Sequence, residues 1–139
     1  MKRIRLAFGG VKVEGELDDS PLAEQVWKLL PLACHGETWG GEIYFPVSLK
    51  AAAGQLVETV AVGDIAYWPD GPDLCVFFGP TPKSTGPAPV VAEAVTVIGR
   101  FAADPDALAL MVRERDGIPV RVERLAGAVV ESASVDTGQ

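Results

Sequence analysis

Apolar and polar residues alternate from the start of the chain. Ile4, Leu6 and Phe8 fall on one side of an extended backbone, with Arg3, Arg5 and Ala7 on the other. Val11, Val13 and Leu17 repeat the pattern against Lys12, Glu14 and Glu16. A period of two is the signature of a strand with one face buried. Gly9-Gly10 between the runs suits a two-residue hairpin loop of type I′ or II′, which needs positive φ. That loop sets Phe8 opposite Val11 and Leu6 opposite Val13, so both apolar rows share one face.

The period then changes. Leu22, Val26, Leu29 and Leu30 are spaced i, i+4, i+7, i+8, one helical stripe with Trp27 beside it. Ser20 is a natural N-cap, Pro21 suits the first helical position, and Asp18 and Asp19 complement the positive end of the dipole. Pro31 stops the helix. A strand is predicted into Trp39, then a Gly40-Gly41 turn and a second strand through Phe45. Residues 48–59 read as a loop or one helical turn, and Val57 to Val62 as a strand leading to Gly63.

Two runs apolar on both faces follow, Ile65 to Trp68 and Leu74 to Phe78, separated by Pro69-Asp70-Gly71-Pro72. They predict a hairpin covered on both sides, with Pro69 fixing φ and Gly71 supplying positive φ in the turn. Residues 79–90 hold Gly79, Pro80, Pro82, Gly86, Pro87 and Pro89, which predicts a long irregular loop of the kind that carries function in compact domains. Val91 to Phe101 resumes as a strand with Val95, Val97 and Gly99 facing one way. Asp104-Pro105 begins a second helix through Leu108, Met111 and Val112, ending at Gly117. Ile118, Val120 and Val122 form the last strand, which Pro119 limits to an edge or a strand start. Roughly eight short strands with helices early and late predict a mainly β fold, an eight-stranded antiparallel barrel capped by two helices. It occupies residues 1–125, with 126–139 a flexible tail.

Composition narrows the partners. The 139 residues fit one domain, and 48% hydrophobic against 22% charged residues supply one core. A net charge of −7 argues against a phosphate backbone or an anionic membrane as partner. The basic N-terminus breaks at Gly9-Gly10, too early for a signal sequence, and no run reaches the length of a membrane span. The cytoplasm is the expected compartment, where Cys34 and Cys75 stay reduced thiols. Gly9-Gly10 and Gly40-Gly41 are hairpin turns rather than phosphate loops, so no cofactor is expected.

The segments Thr38-Trp39-Gly40-Gly41-Glu42-Ile43-Tyr44-Phe45 and Val62-Gly63-Asp64-Ile65-Ala66-Tyr67-Trp68-Pro69 form a recognisable set with two later ones. Those are Leu74-Cys75-Val76-Phe77-Phe78-Gly79-Pro80-Thr81-Pro82 and Val97-Ile98-Gly99-Arg100. Over residues 3–125 the chain resembles the cyclophilin-like family of small bacterial and archaeal proteins of unknown function. A fainter likeness to true cyclophilins runs through Glu16-Leu17, Phe77-Phe78 and Val97 to Arg100. The resemblance implies an eight-stranded barrel with a helix at each end.

It does not bring the chemistry with it. Prolyl isomerisation needs a proline pocket and a positioned arginine that stabilises the twisted amide. The chain has no arginine between Arg5 and Arg100, and the stretch at 35–46 where the resemblance would place one holds two glutamates instead. The candidate site is therefore an aromatic groove for a small molecule or short peptide: His35, Thr38, Trp39, Glu42, Tyr44, Asp64, Tyr67, Trp68 and Phe78. Against that, Phe77 and Phe78 read as core, Asp64 as a turn residue, and Cys75 as a small buried hydrophobe. One histidine and two distant cysteines make no standard zinc site. The alternatives are an enzyme acting on a small amide or acid metabolite through His35, Glu42 or Asp64, a prolyl isomerase, and a module that self-associates into a homo-oligomer. The enzyme reading draws on the occurrence of similar barrels in bacterial amide- and urea-metabolising enzymes.

Overall fold

A computed structural model describes residues 2–102, 104, 107 and 117–125. The first hairpin pairs β1 (Lys2–Phe8) with β2 (Val11–Leu17) in the expected register, Leu6 opposite Val13 and Phe8 opposite Val11. Gly9 has φ of 59° and Gly10 is not positive, the type II′ choice. α1 (Pro21–Leu29) begins at Ser20, whose hydroxyl accepts from Ala23 N. At its other end Arg124 stacks on the Trp27 ring at 4.9 Å and donates twice to the Trp27 carbonyl. The same carbonyl accepts from Leu30 N at 3.2 Å, and the cation adds favourable charge at the negative end of the dipole. Leu22, Ala23 and Val26 enter the core, but Leu29, expected in the same stripe, stands 37% exposed. Leu30, the last member of the stripe, is buried in the same core, so Leu29 alone of the four turns away from it.

The remaining strands are β3 (Leu32–Trp39), β4 (Glu42–Pro46), β5 (Val57–Thr59), β6 (Asp64–Trp68), β7 (Asp73–Phe77), β8 (Val90–Phe101) and β9 (Ile118–Arg124). Their order is β2-β1-β9-β3-β4-β7-β6-β8, and β8 pairs back onto β2, so eight antiparallel strands close into a ring. β5 lies outside the ring, paired only to β8. Pro119 sits at the second position of β9, the strand start that proline tolerates. The stretch at 48–56 holds no regular element. Apart from Asp104, Ala107 and Gly117, the helix expected from Asp104 to Gly117 lies outside the described residues, as does the tail from 126.

The central hairpin explains how this barrel acquires two apolar layers. Ile65 and Tyr67 of β6 and Leu74 and Val76 of β7 point inward, joining Ile4, Leu6, Phe45 and Val122 in the main core. The alternate residues Ala66, Cys75 and Phe77 point outward, where Val60, Val91 and Val95 cover them in a second cluster. Those covering residues come from the chain around β5 and the first half of β8. The turn at 69–72 differs from expectation. Gly71 does not take positive φ; a Cβ there would lie 2.6 Å from the Asp73 nitrogen, so close approach requires the glycine.

Candidate functional site

The outer layer is incomplete. Between the β3–β4 hairpin, β6, β7 and the start of β8 it leaves a cleft of about 270 Å³. Strand register builds it. Trp39 faces Glu42 across the β3–β4 hairpin, Tyr44 lies opposite Cys75, and Cys75 lies opposite Ala66. Trp68 closes the far end of β6, and Val91, Ala92, Glu93 and Val95 of β8 form the other wall. The hairpin tip is held in place from outside. Gly40 turns at φ 58°, Gly41 N donates to the Pro80 carbonyl at 2.8 Å, and Phe78 N donates to the Gly41 carbonyl at 2.7 Å. A Cβ at Gly41 would fall 2.2 Å from Gly79, so the irregular 79–90 loop packs directly on the tip that carries Trp39 and Glu42.

The polar groups of the cleft are acidic. Trp68 Nε1 donates to Glu93 Oε1 at 3.0 Å, and the Tyr44 hydroxyl donates to Glu37 Oε1 at 3.4 Å. Glu42 is only 8% exposed. Burial pushes its carboxyl above the usual range; the Cys75 S–H it accepts lowers it in part, and the charge of Asp73 raises it further. Burial also raises the Cys75 thiol well above its ordinary value, reinforced by the negative Glu42 beside it. A thiol held in that form is a poor nucleophile. Asp73 is itself raised by burial.

Four of the nine residues proposed from sequence meet in this cleft: Trp39, Glu42, Tyr44 and Trp68. The other five stand elsewhere. Tyr67 is 1% exposed inside the barrel, where its hydroxyl donates to the Leu49 carbonyl at 2.9 Å and accepts from Ala51 N at 3.2 Å. Its inward position on β6 makes it core, one residue out of phase with Trp68. Phe78 is buried in the same core. Asp64 is a turn residue: its Oδ2 accepts from Ala61 N at 2.8 Å, and Arg100 Nε approaches its Oδ1 at 3.9 Å. His35 is exposed on β3 opposite Pro119, and Thr38 pairs with Ile43, on the strand face opposite Trp39. Glu93 was not singled out from sequence, and Cys75 was read there only as a small buried hydrophobe. The β4–β7 register places Cys75 beside Tyr44, and Glu93 is the one charge within the Val90–Phe101 strand before Arg100, a usable signal.

Among the described residues no group of three or more His, Cys, Asp or Glu side chains is arranged to hold a metal ion. Among the described residues no Lys, Arg or His lines the cleft. No helix of the described residues is long and apolar enough to cross a membrane.

A closed antiparallel ring with a helix packed at β2 and β8 defines the class, and comparison with known families agrees. The cyclophilin-like family model matches residues 2–123, and the chain belongs to that family. Among solved structures it is similar to a hypothetical protein of Archaeoglobus fulgidus determined in solution. The two are 32% identical, with a TM-score of 0.72, and the match covers 89% of this chain and 95% of that one. No curated protein matches.

Proposed function

We propose that this protein binds a small molecule or short peptide in the cleft on the outer face of its barrel, without the chemistry of a prolyl isomerase. The observation that carries the reading is the convergence of Trp39, Tyr44 and Trp68 around the buried Glu42. Aromatic side chains with one polar edge, set in a concavity with a few directed polar groups, are what ligand sites are made of. None of the three belongs to the main core, which Tyr67, Phe45 and Phe8 fill from inside; Tyr44 and Trp68 instead pack on the edge of the outer cluster, where they border the cleft. That no arginine lines the cleft among the described residues supports the second half of the reading, since the twisted amide of an isomerising prolyl bond needs a cationic donor. The alternative enzyme reading receives less support, because His35 and Asp64 are not cleft residues and only Glu42 is.

The test is a thermal-shift screen with small metabolites and proline-containing peptides, run beside a prolyl-peptide isomerisation assay. Binders should raise the melting temperature, Trp39→Ala and Trp68→Ala should abolish the rise, and isomerisation should stay far below that of a true cyclophilin. A rise that survives both substitutions in stably folded variants would place binding elsewhere.

A further inference from the structure

The chemistry of the cleft specifies the charge of its occupant, an inference that rests on the ligand-binding reading above. Three aromatic rings, those of Trp39, Tyr44 and Trp68, surround the space. Their faces carry negative electrostatic potential and attract cations. Glu42 reaches the same space at 8% exposure, and Glu93 stands at its wall. Neither carboxyl takes part in an ion pair among the described residues, where every salt bridge involves other acids. A buried carboxylate without a cationic partner carries a large desolvation cost. Among the described residues Glu42 is offset by the Cys75 S–H, a weak donor. The missing element is a positive charge, and among the described residues no lining residue supplies one.

We propose that the cleft is an aromatic cage for a small organic ammonium ion, with Glu42 as its counter-ion and Trp39 and Trp68 as the rings that face its alkyl groups. An anionic ligand would meet three rings and two carboxylates with no compensating donor of charge. A neutral ligand would leave Glu42 as costly as before. An ammonium ion satisfies both features at once: its N–CH groups lie against the ring faces, and its charge lies near the carboxylate. The small volume favours a compact headgroup of the choline type over an extended peptide. The net charge of −7 adds a long-range field of the right sign to draw such an ion in.

The probe pair is choline and 3,3-dimethyl-1-butanol, which has the same shape with carbon in place of the charged nitrogen. Trp27 lies outside the cleft under Arg124, so the titration is read by tryptophan fluorescence in a Trp27→Phe protein, at constant ionic strength. Choline should saturate the signal at least tenfold more tightly than its neutral isostere, and tetramethylammonium should compete with it. Glu42→Gln keeps the shape and the hydrogen-bond acceptor but removes the charge. It should weaken choline at least fivefold and leave the isostere unchanged. Equal affinity for choline and the isostere would overturn the cation preference while leaving a ligand site intact. Saturable binding of an anionic or peptide probe with none of choline would do the same. Silence of both cleft tryptophans towards every probe, with the protein folded, would overturn the cation cage and the ligand site together.

Discussion

The indole N–H of Trp68 donates to Glu93 Oε1 at 3.0 Å, joining the end of β6 to the start of β8 across 25 residues of chain. The bond fixes the plane of a ring that forms one end of the cleft. A hydrogen bond to a charged acceptor at an exposed position contributes on the order of 1 kcal/mol or less. Glu93→Ala is therefore expected to cost under about 1 kcal/mol in a urea melt, while Trp68 emission shifts as the ring loses its anchor. Glu93→Gln, which keeps an acceptor, should restore the emission. Unchanged emission in Glu93→Ala would mean the ring is held by packing alone.

Glu42 gives the protein a pH signature. Its folded carboxyl is raised above the unfolded value, chiefly by burial. Between the ordinary glutamate range and the raised value, the folded state holds more protons than the unfolded one, so stability falls as pH rises through that window. Glu42→Gln removes this slope. The stability of the variant relative to the parent should be least below about pH 4, climb through the window, and level off above it. Asp73 is present in both proteins, so the comparison reports the titration of Glu42 together with its coupling to Asp73. A difference that is flat across pH would show that Glu42 keeps its charge in the folded state at no cost.

Closure of the ring rests on two glycines. A Cβ on Gly15 would lie 2.5 Å from the Arg100 carbonyl oxygen, and one on Gly99 would lie 2.4 Å from the Glu16 carbonyl oxygen. Both meet backbone at the β2–β8 seam, which cannot move aside without opening the ring. Gly15→Ala and Gly99→Ala should each destabilise by about 2–3 kcal/mol or more in thermal melts. Gly86→Ala, where an added carbon meets nothing within 4 Å, should stay within about 0.5 kcal/mol. A neutral Gly15→Ala would mean that the seam is loosely packed.

Tyr67 and Trp68 are neighbours in sequence with separate tasks. Tyr67→Phe removes a hydroxyl that bonds both Leu49 and Ala51 and should cost about 1–2 kcal/mol in stability without changing ligand affinity. Trp68→Ala should change affinity. If Tyr67→Phe weakens binding as strongly as Trp68→Ala, the division between core and cleft is wrong.

That division also marks what the residues reveal before folding. The first hairpin, α1 and β9 follow from periodicity, because there one face is buried and the other is wet. In the central hairpin both faces are apolar, so period two carries no information about which side is core. Tyr67 and Trp68, like Phe77 and Phe78, look equivalent in the chain and are told apart only by the register that β4 and β8 impose. Asp64 and His35 carry functional chemistry in principle, but their roles depend on neighbours from other strands. Asp64 turns out to bond a backbone amide three residues away. Glu42 was legible as a carboxyl in a motif. Its burial, and the thiol it accepts from, required the strand order.

The most direct test of the cleft as a ligand site uses the three indole N–H resonances of a ¹⁵N-labelled sample. With choline added to saturation, the signals of Trp39 and Trp68 should move together while that of Trp27, stacked under Arg124 on the far element, stays still. Three unmoved signals would contradict the cleft as a site for choline, and a Trp27 signal that moves with the others would contradict binding confined to the cleft.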